Sequence, residues 1–218
     1  MKSEIFKRII TSIIIFSILL VVLINPKYYL LIFLSLFYFL SFYEVYKNSN
    51  SLKFTLFSNI FLLTAFYAFY YLRGNNIQEL IFLCWVLFTT FLSDIGGYVF
   101  GKIFGGRKLT KISPNKTYSG AIGSFIFSLM SLPLLFLFQK NFLNEMLIDF
   151  FKLNYFTLTL LISFIAQIGD IFVSYWKRRF KIKDTGKIFP GHGGVLDRID
   201  GLIFVLIFLL ILKNFINI

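Results

Sequence analysis

Seven apolar runs divide the chain, each of the length that a membrane-spanning helix needs, about 20 residues. The apolar pattern predicts helices at about 9–25, 28–46, 54–72, 79–99, 120–138, 154–176 and 201–217. Glycine and proline inside these runs do not exclude them, because membrane helices tolerate both. Pro133 is expected to kink the fifth. The second and third runs are rich in Phe and Tyr, and Tyr suits the membrane interface. The opening MKSEIFKR followed by IITSIIIFSILLVVLI has the outline of a signal peptide, but it runs into Asn25-Pro26-Lys27 and not a small-residue cleavage site. An uncleaved first helix is the expectation. The pattern therefore predicts an all-α, polytopic integral membrane protein with about seven transmembrane helices. One membrane domain covers 1–218, with neither internal repeats nor a low-complexity linker.

Composition supports this reading. The chain is 58% hydrophobic and 21% aromatic, with a mean hydropathy of +0.80. A soluble domain of 218 residues could not cover that much apolar surface. Cys84 sits within an apolar run and reads as a small buried hydrophobe; with one cysteine no intrachain disulfide can form.

Charge adds an orientation. The formal net charge is +12. In a soluble protein that excess would suggest nucleic acid. In a membrane protein it reads as the positive-inside bias and contact with anionic headgroups, so no nucleic-acid partner is expected. With seven spans, one side holds the N-terminus and the 47–53, 100–119 and 177–200 loops, which contain 17 of the 22 Lys and Arg residues. The other side holds Lys27, Arg73, Lys140, Lys152 and Lys213. The split predicts a cytoplasmic N-terminus and an outer C-terminus, in the cell's inner (cytoplasmic) membrane. An even number of spans would break it.

The acids then point to a site. An ionisable group inside a membrane helix is costly and is by default a functional hypothesis. Asp94 and Asp170 stand about five and six residues before the cytoplasmic ends of the fourth and sixth runs. Asp197 and Asp200, three apart and on one helical face, stand at the start of the seventh. Any one alone reads as a structural ion pair; four converging at one depth read as a cation site. Hard oxygen ligands suit Mg²⁺, which binds one or two carboxylates together with substrate phosphates. Zinc is disfavoured by one His and one buried Cys. His192, in a glycine-rich loop, reads first as a hydrogen-bonding partner for phosphate or backbone and second as a ligand.

Two basic loops border the acids. Residues 101–119, GKIFGGRKLTKISPNKTYS, carry five basic residues and no acid, and SYWKRRFKIKDTGKIFPGHGGVLDRIDG over 174–201 is denser still. Lysine and arginine beside glycine-rich backbone can cradle polyphosphate. Neither a G-x-x-x-x-G-K-[ST] nor a G-x-G-x-x-G pattern occurs. No Ser/His/Asp nucleophile set is evident. The residues alone thus imply a membrane enzyme that handles phosphorylated substrates with Mg²⁺ at the cytoplasmic interface.

The segment Ser174–Asp200 closely resembles the signature of the phosphatidate cytidylyltransferase (CDP-diacylglycerol synthase) family. The matching positions are Ser174, Lys177, Arg178, Lys183, Asp184, Pro190, His192, Gly193, Gly194, Asp197, Arg198 and Asp200. Gly169-Asp170 resembles the Gly-Asp ahead of that signature, and Asp94-Ile-Gly-Gly-Tyr98 the family's Asp-x-Gly-Ala-Tyr. Ser113-Pro-Asn-Lys116-Thr-Tyr-Ser-Gly120 is similar to its Ser-Pro-Lys-Lys-Thr-Trp-Glu-Gly. The resemblance covers roughly 80–217. It splits the domain into poorly matched N-terminal helices over 1–78 and catalytic helices with cytoplasmic loops over 79–218. Ser119 stands where the family has Glu, and the chain is short for the family.

The resemblance implies transfer of CMP from CTP to phosphatidate, giving CDP-diacylglycerol and pyrophosphate for phospholipid synthesis. It implies Asp170 and Asp197 as ligands of one or two Mg²⁺ ions, with Asp94 and Asp200 as further ligands. Lys116, Lys177, Arg178, Lys183 and Arg198 would bind phosphates. His192, Gly193 and Gly194 would form a turn against the triphosphate, near Ser174. The implied partners are CTP, phosphatidate and membrane lipid; a homodimer is allowed. Two alternatives stand beside this one. A related CTP-using membrane enzyme, such as a polyprenol kinase or an ether-lipid cytidylyltransferase, would share the motif. A transporter would carry ions on its intramembrane acids, but these acids crowd one interface and not the midplane.

Overall fold

Lipid offers the backbone no hydrogen bonds, so apolar runs satisfy their own as helices. The structure, a computed structural model, describes residues 14–110, 112–114, 116–142, 154–186, 188 and 193–215. Among these residues it is all-helical, with one isolated antiparallel bridge between Lys108 and Thr117 and no strand. The helices are α1 (Ile14–Ile24), α2 (Lys27–Asn48), α3 (Leu52–Arg73), α4 (Ile77–Phe104), α5 (Tyr118–Leu129), α6 (Ser131–Phe142), α7 (Tyr155–Arg179) and α8 (Leu196–Phe215).

Among the described residues, five helical stretches are long and apolar enough to cross a membrane: α2, α3, α4, the stretch Tyr118–Leu137 formed by α5 with α6, and α7. α1 is shorter over its described part. α8 has an apolar middle but carries Asp197, Arg198 and Asp200 at one end and Lys213 at the other. The kink expected at Pro133 takes the form of a break at Met130, whose N–H bonds the Phe127 carbonyl at 3.0 Å. A proline ring clashes with the carbonyl four residues earlier, which ends the regular ladder there.

At the end that carries the basic loops, three helices extend past the sequence boundaries. α4 continues to Phe104, α7 continues to Arg179, and α8 begins at Leu196. The added turns of α4 and α7 carry Lys102, Arg178 and Arg179, which are favourable at a helix C-terminus. The charge pattern marked them as loop although the backbone stays helical. Gly105, at φ 57°, ends α4 in a conformation that side chains resist. Asp94 and Asp170 therefore lie about 15 and 14 Å from their helix ends.

The bundle has two ends. At the far end, Lys213 pairs with Glu79 at 3.1 Å and lies over the Tyr71 ring. There Arg73 donates to the Leu23 carbonyl at 2.9 Å, tying α1 to α3. A large apolar core fills that half, including Leu30, Leu34, Phe69, Phe82, Trp85, Leu158, Ile162 and Leu209. A smaller cluster of Val45, Leu62, Ala65, Val173, Trp176, Leu196 and Ile203 packs beneath the other end. Polar pairs cross the interior: Trp85 Nε1 donates to Ser131 Oγ at 3.1 Å, and the Ser93 and Ser163 hydroxyls meet at 2.8 Å. Such hydrogen bonds and close backbone contacts hold helices together where lipid competes for apolar faces.

α4 and α5 approach most closely through glycines. A Cβ on Gly123 would sit 2.7 Å from the Gly96 carbonyl and also strike the Phe100 side chain. A Cβ on Gly120 would sit 2.8 Å from the Gly97 carbonyl. This contact fixes the start of α5 against α4, and with it the loop residues just ahead of α5.

Candidate active site

The sequence placed two acids on helices running toward the loop end and two on the helix leaving it. The structure brings three of these acids together. α7 and α8 touch at small residues: a Cβ on Gly201 would lie 2.9 Å from Asp170 Oδ1 and 3.0 Å from the Ala166 carbonyl. A Cβ on Gly169 would lie 3.1 Å from the Asp200 carbonyl. This approach puts the Asp170 and Asp200 carboxyl groups within hydrogen-bonding reach of each other. Asp94, on α4, lies in electrostatic range of Asp170, Lys116 and Arg198. Lys116, held by the α5 start, sends Nζ to Asp170 Oδ2 at 3.0 Å; both side chains are about one quarter exposed.

Asp170, Ser174 and Lys177 follow at i, i+4 and i+7 and so form one stripe of α7. Ser174 is half-buried, and Lys177 reaches across to Asp197 Oδ1 at 2.8 Å. Asp197 Oδ2 accepts from the Thr185 N–H at 2.8 Å and the Gly194 N–H at 3.0 Å, with the Thr185 hydroxyl oxygen 3.1 Å away. Burial would raise this carboxyl, but the Lys177 ammonium and the two N–H donors outweigh it and hold it below the ordinary carboxylate range. Gly193, at φ 90°, makes the turn ahead of these donors, and a Cβ there would also lie 3.0 Å from Asp197 Oδ2. Asp197 is thus fully engaged by protein donors, whereas Asp94, Asp170 and Asp200 face one another.

The other expected residues are distributed around this centre. Arg178 is exposed and donates to the Ile182 carbonyl at 3.2 Å, closing the turn after α7. Lys183 is exposed, and so is Arg198 on the first turn of α8. Gly193 and Gly194 flank Asp197. Pro190 and His192 lie outside the described residues. Ser119 takes a local role: its hydroxyl donates to the Gly105 carbonyl and meets Thr117 Oγ1 at 2.9 Å, tying the α5 start to the α4 end.

One acid at this end was not among the expected four. Glu44, near the end of α2, is 2% exposed. Its carboxylate accepts from the Val195 N–H at 2.8 Å, the Leu196 N–H at 3.0 Å and the Thr185 hydroxyl at 2.7 Å. The sequence contained the signal, since Glu44 falls inside the predicted 28–46 span, where an acid is costly.

Two carboxyl groups in contact share either a proton or a cation. Asp170 and Asp200, with Asp94 opposite, offer hard oxygen donors and fit a magnesium ion completed by phosphate oxygens. Among the described residues no group of three or more His, Cys, Asp or Glu side chains forms a ready cage. Around these acids the positive charges of Lys116, Lys177 and Arg198 stand where phosphates could be neutralised. The arrangement can therefore hold a polyphosphate at one end of a membrane bundle.

A family model described as "Cytidylyltransferase family" matches residues 47–216. The chain belongs to that family. The match begins well ahead of residue 80 and so includes α3, which carries none of the motifs. The chain is 38% identical over 175 residues to a protein of Staphylococcus haemolyticus named phosphatidate cytidylyltransferase, covering 78% of this chain and 63% of that protein. It is 35% identical to the protein of that name from Staphylococcus saprophyticus, over 78% of this chain and 63% of that one. The Staphylococcus aureus protein of that name is 37% identical, over 77% of this chain and 62% of its own length. The chain therefore spans somewhat under two thirds of the length of these relatives.

Proposed function

We propose that this chain transfers CMP from CTP to phosphatidate, forming CDP-diacylglycerol and pyrophosphate. The observation that carries the reading is the meeting of Asp94, Asp170 and Asp200 with Lys116 at the end of the bundle where the family signature folds. In this reading the Gly193–Gly194 turn and Lys177 receive the triphosphate. Lys116 and Arg198 offset charge on the reacting phosphates. A phosphatidate oxygen attacks the α-phosphorus of CTP, and the bond to the pyrophosphate leaving group breaks. Phosphatidate presents an ionised oxygen, so no side chain has to remove a proton, which agrees with a chain holding one His. Magnesium, when held by Asp170 and Asp200 with Asp94 beside them, supplies positive charge to the nucleotide and the leaving group. Asp197 acts by ordering Lys177 and the Thr185 and Gly194 backbone.

The lipid enters sideways in this reading. Its acyl chains stay in hydrocarbon, since each CH₂ moved into water costs about 0.8 kcal/mol. A shallow apolar groove runs between α3, α7 and α8, lined by Phe54, Phe57, Phe61, Phe172, Trp176 and Phe204. Trp176 at its wall is next in sequence to Lys177, so a chain in this groove would leave the headgroup beside the charged centre. The reading also includes seven spans in the inner membrane with the site facing the cytoplasm, where CTP is found. The basic-residue split supports that orientation.

The test is an assay of the purified chain in detergent or nanodiscs with phosphatidate, Mg²⁺ and CTP labelled either in the cytosine or in the γ-phosphate. Cytosine label in the lipid extract is expected. Lipid labelled from the γ-phosphate instead would identify a kinase, and a folded protein that labels no lipid would end the proposal.

A further inference from the structure

The acid that the family signature does not include has a buried carboxylate answered by two backbone N–H groups and a hydroxyl. Glu44 lies ahead of the matched region, which starts at residue 47. It comes from α2, yet every hydrogen bond to its carboxylate comes from residues 185–196, about 140 positions later. Val195 and Leu196 open α8, so their N–H groups have no partner within the helix. A carboxylate there also meets the positive end of the helix dipole. Glu44 is in effect an N-cap supplied by another helix.

The fit leaves no slack. A Cβ on Gly194 would lie 2.5 and 2.6 Å from the two Glu44 oxygens, and one on Gly186 would lie 2.5 Å from Oε1. Asn48, one turn further along α2, donates to the Thr185 carbonyl at 2.7 Å. The Thr185 hydroxyl stands between two carboxylates, 2.7 Å from Glu44 Oε2 and 3.1 Å from Asp197 Oδ2, while the Thr185 N–H serves Asp197. One threonine thus connects Glu44 to the aspartate that holds Lys177.

We propose that Glu44 is a positioning residue: it fixes Thr185, Val195 and Leu196 so that Asp197 and Lys177 present one fixed surface to the nucleotide phosphates. This rests on the reading of that surface as the CTP site. Glutamine at position 44 has the same shape but one acceptor. Whichever way its amide turns, an NH₂ group faces a backbone N–H, of Val195 or of Leu196.

The experiment uses the full chain and two readouts. Hydrogen exchange at the amides of 185 and 194–196 needs no turnover. Steady-state kinetics separates the KM for CTP from that for phosphatidate. Glu44→Gln is expected to speed exchange in this segment while the other helices stay protected. It should raise the CTP KM about 10- to 100-fold, the usual cost of losing a supporting partner, and leave the phosphatidate KM unchanged. Thr185→Val should reproduce the effect and Thr185→Ser should restore it. The double variant Glu44→Gln/Thr185→Val should be no worse than the weaker single, as members of one network are not additive. Wild-type exchange and wild-type CTP KM in Glu44→Gln would overturn the proposal. So would equal losses in both KM values with faster exchange throughout the bundle. If Glu44→Gln does not purify, the Thr185 pair decides the matter by the same measurements. If the wild-type chain turns over no CTP, the functional reading fails, and the exchange data alone support or overturn the positioning role.

Discussion

Asp197→Asn is expected to abolish turnover while leaving the helices in place. The pair it breaks is well sheltered: Lys177 and Asp197 meet at 2.8 Å with side-chain exposures of 12% and 5%. Removing one member of a buried pair costs about 3–5 kcal/mol, because the other charge is left uncompensated. At 1.4 kcal/mol per tenfold, that shifts the equilibrium ordering this segment at least about 100-fold. Asparagine keeps one acceptor for the Thr185 and Gly194 N–H groups, so their loss is partial; hydrogen bonds to a charged acceptor contribute about 1.5–3 kcal/mol against about 1 for neutral ones. The assay is CMP transfer by the purified variant at limiting Mg²⁺, beside thermal unfolding. The double variant Lys177→Met/Asp197→Asn removes both charges and should regain stability over the single while remaining inactive, since Lys177 is assigned to phosphate. The pH dependence follows from the depressed carboxyl. Its stabilisation is fully present above the unfolded value of about 3.9 and is lost only as pH falls through the lower folded value. Exchange protection of 185 and 194–196 should therefore be flat from about pH 8 to pH 5. Near-normal activity of Asp197→Asn at limiting Mg²⁺ would refute the reasoning, as would a double variant no more stable than the single.

Lys116→Gln should lower turnover about tenfold or more and change stability by less than about 1 kcal/mol, because its pair with Asp170 is a quarter exposed; a thermal-shift measurement beside the transfer assay checks both halves. Gly123→Val should prevent α4 and α5 from seating, since the new side chain meets the Gly96 carbonyl and the Phe100 ring; the expected result is aggregation or a strongly lowered unfolding temperature on size-exclusion and melting analysis. Reporter fusions or cysteine accessibility should place the two termini on opposite sides of the membrane, and both in the cytoplasm would remove the seven-span arrangement without touching the chemistry.

Much of this architecture is legible in the sequence because lipid imposes a simple rule. A run of about 20 apolar residues has to be a helix, and the runs at 28–46, 54–72 and 79–99 become α2, α3 and α4. Charge patterns are a weaker guide to where a helix stops, so α4, α7 and α8 extend past the expected limits through Lys102, Arg178–Arg179 and Asp197–Arg198. At the site, spacing within α7 anticipates the stripe Asp170, Ser174, Lys177. It cannot anticipate that Asp170 and Asp200 touch while Asp197 turns to Lys177, because that depends on how closely Gly169 and Gly201 let two helices approach.

Glu44 shows most clearly what a motif leaves out. A signature records residues whose spacing along the chain is fixed, and Glu44 acts from α2 on residues about 140 to 150 positions away. The rule that singles out Asp94 and Asp170, an acid inside an apolar span, applies equally to Glu44. The difference lies in what satisfies the charge. Asp94, Asp170 and Asp200 lie close to one another, with the Lys116 ammonium on Asp170 as a positive charge among them. Glu44 is answered by two backbone N–H groups and a hydroxyl and calls for no added cation. An acid whose partners are all supplied by the protein reads as structural, whereas three neighbouring acids that share one ammonium still offer oxygens to a cation. In the proposed reading Asp197 belongs with Glu44, and the chemistry with the three aspartates beside it.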